Sequence, residues 1–71
     1  MTPDEIKKVQ AYLQKKFGLP ELSLRTRKTA DSVEVLLNGE FIGVIYKDED
    51  EGEVSYDFNM AILDIDLDDA A

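Results

Sequence analysis

At 71 residues with neither cysteine nor histidine, the chain has room for one thin-cored domain. It has no means of building a disulfide, a zinc–thiolate site, a thiol nucleophile or a histidine general base. Its formal net charge of −8 disfavours nucleic acid and anionic membrane surfaces as partners. That charge is unevenly divided: all eight Lys/Arg lie at or before Lys47, and residues 48–71 hold ten Asp/Glu. No apolar run reaches the 18 residues of a membrane span. The acidic N-terminal stretch Met1-Thr2-Pro3-Asp4-Glu5 lacks the apolar core of a signal peptide, so a cytoplasmic protein is expected.

The first segment predicts a helix over residues 3–17. Thr2 and Glu5 form a Thr-x-x-Glu capping box, and Pro3 suits the first turn. Ile6, Val9, Leu13 and Phe17 recur on one helical face. Gly18 and Pro20 end the element. From Leu22 the period falls to two, and strands are predicted at about 21–27, 32–37, 40–47 and 53–60. A polar loop, Lys28-Thr29-Ala30-Asp31, separates the first two. Asn38-Gly39 marks a tight type I′ hairpin, and Asp48-Glu49-Asp50-Glu51-Gly52 reads as a five-residue loop. The tail, residues 61–71, alternates Leu63, Ile65 and Leu67 with Asp64, Asp66 and Asp68. Asn59 also offers a helix cap, so the tail is expected to be extended or to make a short helical turn before an extended end. The last few residues are expected to be disordered.

These loop lengths imply a set of strand registers. Leu24 faces Val35 and Thr26 faces Val33. Across Asn38-Gly39, Val35 faces Ile42 and Val33 faces Val44. Across the acidic loop, Tyr46 faces Val54, Val44 faces Tyr56 and Ile42 faces Phe58. Opposed residues share a sheet face. Leu22, Leu24, Val33, Val35, Ile42, Val44, Tyr46, Val54, Tyr56 and Phe58 are therefore expected to look inward at the helix. The predicted architecture is α+β: residues 1–71 as one two-layer domain, the N-terminal helix packed on a four-stranded antiparallel meander. The same registers put Arg25, Glu34, Gly43 and Asp57 in one row on the outer face, with Leu36, Phe41 and Ile45 beside them.

Those three apolar residues are the candidate binding surface. They serve either as a protein-binding patch, most simply for a second copy, or as a shelf buried beneath the tail. Asp64 and Asp66, with Asp68 and Asp69, form a possible docking strip for a basic protein, or else a solubilising tail. The acidic loop departs from an EF-hand at three positions, with Gly52, Glu53 and Asn59 where an oxygen ligand, Gly and Glu are needed. Arg25, Arg27, Lys28 and Lys47 make a basic cluster near the sheet, in which Arg25 has Glu34 as a cross-strand partner. Tyr12, Tyr46 and Tyr56 suit packing with a bonded hydroxyl. Glu34 and Asp57 flank Gly43 as a carboxylate pair, with no nucleophile or electrophile beside them.

With these residues laid out, the chain resembles domain-of-unknown-function family 3126, reported from alphaproteobacteria. The matching phrases are Thr2-Pro3-Asp4-Glu5-Ile6-Lys7-Lys8-Val9 with Ala11-Tyr12-Leu13, then Glu40-Phe41-Ile42-Gly43-Val44-Ile45, and Met60-Ala61-Ile62-Leu63-Asp64-Ile65-Asp66-Leu67. The resemblance spans nearly the whole chain and implies no activity, so no functional residues follow from it. The expectation from the residues is a non-enzymatic protein-interaction module or homodimer acting through Leu36, Phe41, Ile45, Asp64 and Asp66. It requires no metal, cofactor or small-molecule substrate. The alternative is an acidic decoy or inhibitor covering a basic, nucleic-acid-binding surface of a partner.

Overall fold

The computed structural model describes residues 1–29 and 31–70. Ala30 of the first loop, the side chain of Asp69 in the acidic strip, and the final Ala71 lie outside the described residues. The elements are α1 (Pro3–Phe17), β1 (Leu22–Thr26), β2 (Ser32–Leu37), β3 (Glu40–Asp50), β4 (Glu53–Asn59) and α2 (Asp64–Ala70). The strands form one antiparallel sheet in the order β1-β2-β3-β4. A helix on a meander is what the apolar periods predict. No described helix is long and apolar enough to cross a membrane.

Local chemistry sets the ends of α1. The Glu5 amide donates to Thr2 Oγ1 at 3.1 Å, and the Thr2 amide donates to Glu5 Oε1 at 3.0 Å, so two otherwise orphaned donors are satisfied reciprocally. Gly18 takes a left-handed conformation at φ 65° and returns its amide to the Gln14 carbonyl. Two helix side chains then hold the edge of β1. Gln10 Oε1 accepts from the Leu24 amide at 2.9 Å, and Gln14 Nε2 donates to the Leu22 carbonyl at 2.8 Å. Those bonds use backbone groups that an edge strand would otherwise leave open. They also fix α1 over the β1 side of the sheet.

The first hairpin keeps its expected register, with Leu24 opposite Val35 and Thr26 opposite Val33. The second begins as expected, Leu37 facing Glu40 and Leu36 facing Phe41, and then shifts at a bulge. Ile42 is the extra residue, so Val35 faces Gly43 and Val33 faces Ile45. Ile42 packs against the core, and Gly43 lies beneath the Phe58 ring on the same side. Beyond the bulge the alternation is inverted. Ile45 turns inward and is 1% exposed, while Val44 and Tyr46 turn outward.

The third hairpin also departs from expectation. The ladder continues through Asp48, Glu49 and Asp50, and Asp50 faces Glu53. The turn is only Glu51-Gly52, with φ of 51° and 80°, the positive values a two-residue I′ turn requires. The register is therefore Ile45 to Phe58, Tyr46 to Asp57 and Lys47 to Tyr56. The core that results is thin, as chain length requires. Leu13, Leu22, Val33, Val35 and Ile45 are buried, with Ile6, Val9, Leu24, Ile42 and Phe58 packed around them.

Of the two expectations for the tail, the helical one holds: α2 begins at Asp64 and continues to Ala70 in place of an extended end. Its cap is Leu63 rather than Asn59: the Leu63 carbonyl accepts from the Asp66 amide at 2.9 Å, and the Leu63 amide donates to Asp66 Oδ2 at 3.1 Å. Asp64 and Asp66 in the first turn complement the helix dipole, so the acidic residues favour a helix over the strand their alternation implied.

Candidate functional site

The outer face does not assemble as expected. Leu36 and Phe41 are neighbours there, directly paired. Ile45, the third member of the proposed patch, is in the core on the opposite side. The bulge at Ile42 is the reason, and Val44 takes the outward position. The outer row is Arg25, Glu34, Val44 and Asn59, so Glu34 and Asp57 do not flank Gly43. Arg25 does pair with Glu34, its Nε and Nη2 at 2.7 and 2.6 Å from Oε1. The basic cluster disperses, because Lys47 lies on the helix side. Asp64 and Asp66 are exposed in the first turn of α2. Ile62, Leu63, Ile65 and Leu67 are all exposed too, so the described part of the tail does not cover the outer face.

A concave surface lies instead on the inner side. Since α1 is tied to β1, its far flank leaves β4 uncovered. Between them runs an open groove of about 420 Å³. Val9, Leu13 and Ile45 line its apolar depth, Lys8 and Tyr12 line it from α1, and Tyr56 and Phe58 from β4. Tyr12 is 61% exposed. One end is marked by Phe17 and Phe58, whose rings meet edge to face at a centroid distance of 6.5 Å.

A polar clamp closes the other end. The Tyr56 hydroxyl donates to Glu5 Oε2 at 2.7 Å. Lys47 Nζ lies 2.7 Å from the same oxygen and 2.9 Å from Glu49 Oε1. The Lys47 ammonium, then the Thr2 amide and the Tyr56 hydroxyl, hold the Glu5 carboxyl down at about 2. Glu5, then Glu49, pushes the Lys47 ammonium above its usual range, and Glu5 does the same to the Tyr56 phenol. All three groups titrate far from neutrality, where a general acid or base is of little use. What they do is pin the N-terminus of α1 to the β3–β4 hairpin.

The clamp was not legible in the sequence, although it follows from the true turn. Reading Glu51-Gly52 as a two-residue turn sets Lys47 opposite Tyr56 at once. The pH response of the clamp is predictable. Glu5 titrates lower folded than at its ordinary value of 4.5, so its contribution is full above that value and is lost as pH falls toward about 2. Glu5→Gln will therefore have a lower Tm than the parent above pH 4.5, and the gap will close across that window. A gap that stays constant from neutrality to pH 2 would refute the clamp.

At the tip of the β3–β4 hairpin, Asp48, Asp50, Glu51 and Glu53 surround a shallow polar cleft. Among the described residues no group of carboxylates is arranged to hold a metal ion.

The family described as "Protein of unknown function (DUF3126)" matches residues 5–66. That span includes the clamp, every residue lining the groove and the start of α2. No curated protein and no solved structure matches the chain.

Proposed function

The chain belongs to the DUF3126 family, whose description assigns no chemistry, and we propose that it is a non-enzymatic protein-interaction module that docks a partner in the α1–β4 groove. One observation carries this reading. The groove has an apolar depth and an aromatic rim, it is open, and no segment among the described residues fills it. Exposed apolar concavities rimmed by polar groups are where proteins dock. Tyr12, Tyr56 and Phe58 are of the residue types that anchor interfaces. The distance from neutrality of Glu5, Lys47 and Tyr56 favours binding over catalysis.

The test compares proteins co-purified from the host by the tagged chain with those recovered by Tyr12→Glu and Phe41→Glu. A groove-bound partner is lost with Tyr12→Glu, is kept with Phe41→Glu, and survives high salt. Recovery of the same partners by Tyr12→Glu sinks the groove. A second reading, an acidic decoy covering a basic surface, is favoured by the carboxylates gathered at the β3–β4 tip. It calls for partners insensitive to Tyr12→Glu and released steeply by salt.

A further inference from the structure

We infer that the occupant of the groove is the C-terminal segment, residues 60–68, of a second copy of the chain, exchanged reciprocally in a twofold dimer. The inference rests on the groove being a docking site and names what docks there. Exposed area is the first argument. The chain presents 5528 Å², whereas a folded monomer of 8.0 kDa presents about 4,450 Å² by the size law. The surplus of roughly 1,100 Å² exceeds the about 800 Å² that one partner contributes to a stable interface, so it is large enough to supply one. Its radius of gyration, 13.3 Å, likewise exceeds the roughly 11 Å of a compact domain this long.

The surplus sits in matching places. Met60, Ile62, Leu63, Ile65 and Leu67 are each more than half exposed, and none of them lines the groove of its own chain. Leu63 and Leu67 are four residues apart, the spacing with which a helix fills a groove. Along α1 the groove is lined from Glu5 to Leu13, about 12 Å at 1.5 Å per residue. An extended Met60–Leu63 with the first turn of α2 is long enough to span it.

Charge agrees with shape. Lys8 stands on the rim, and the helical repeat carries the same edge on to Lys15 and Lys16. Among the described residues none of these lysines is ion-paired. The incoming segment brings Asp64, Asp66 and Asp68. A chain cannot easily serve itself: β4 ends beside the Phe17 end of the groove, and Met60–Leu63 holds no Gly or Pro to turn it back. A twofold mate enters without that reversal.

The test is sedimentation of the full chain with two variants, Tyr12→Glu and the double Leu63→Asp/Leu67→Asp. All substituted side chains are exposed, so circular dichroism should report unchanged folds. The parent is expected to be a dimer. Each variant should raise the dissociation constant at least about tenfold. An equimolar mixture of the two should form a heterodimer in preference to either homodimer, because one of its two groove–tail contacts joins an intact groove to an intact tail. A parent that stays monomeric at high concentration overturns the inference, and so does a dimer indifferent to the tail variant or a mixture that fails to associate. If the parent is monomeric yet Tyr12→Glu still loses a host partner, the groove stands and only its occupant is wrong. If neither changes, both readings fall.

Discussion

Ile45→Ala will lower the unfolding free energy by about 2–5 kcal/mol, while Phe41→Ala will leave it within about 0.5 kcal/mol of the parent. The two residues were expected to sit side by side on the outer face. Ile45 instead fills the centre of the core with Val33 and Val35, at 1% exposure against 53% for Phe41. A domain of this length has about 4–10 kcal/mol of stability in all, so the Ile45 cavity removes a large share of it and Ile45→Val about 0.5–1.5 kcal/mol. Urea unfolding with an unchanged slope is the measurement. Equal effects at the two positions would mean that the bulge at Ile42 is absent and the faces of β3 are those of an uninterrupted ladder.

Gly43→Ala will destabilise by about 1–3 kcal/mol, the range for overfilling a packed interior. No positive φ is at issue here. A Cβ on Gly43 would lie 2.5 Å from the Asn59 carbonyl oxygen and 2.7 Å from Phe58 Cε1. The ring has some freedom, but the carbonyl belongs to the β4 backbone, so the end of β4 must move. Phe58→Leu in the Gly43→Ala background should therefore restore only part of the loss. Because Phe58 also walls the groove, the shift should alter binding there. An alanine variant as stable as the parent would show that β4 does not lie this close to the bulge.

The legibility of the sequence varied with how local each signal was. Thr2, Glu5 and Gly18 mark α1 by bonds made within four residues of one another. Asn38-Gly39 likewise announces its own turn. The failure came in β3, where Phe41-Ile42-Gly43-Val44-Ile45-Tyr46 is apolar or glycine at every position. Alternation carries no information in such a run, and a one-residue shift there exchanges its faces. Glu51-Gly52 was obscured by the surrounding carboxylates, which read as loop although they pair as strand. Those two register changes removed Ile45 from the binding surface, moved Lys47 to Glu5 and Tyr56, and left the groove unforeseen. Tyr56 has the bonded hydroxyl its residue type suggests, but its place and that of Tyr12 on the groove follow only from those register changes.

By themselves, the residues determined the order of α1 and the four strands, the capping of α1, the first hairpin register, the acidic character of the C-terminal third and the lack of thiol and imidazole chemistry. All of these are set by composition or by neighbours close along the chain. Only tertiary structure decided which side of β3 faces the helix, because the space above Gly43 is claimed by Phe58, a residue fifteen positions later. It also decided that α1 leans toward β1, through Gln10 and Gln14, and so leaves β4 bare. Where a helix rests on a sheet depends on bonds between distant segments, and that placement created the groove.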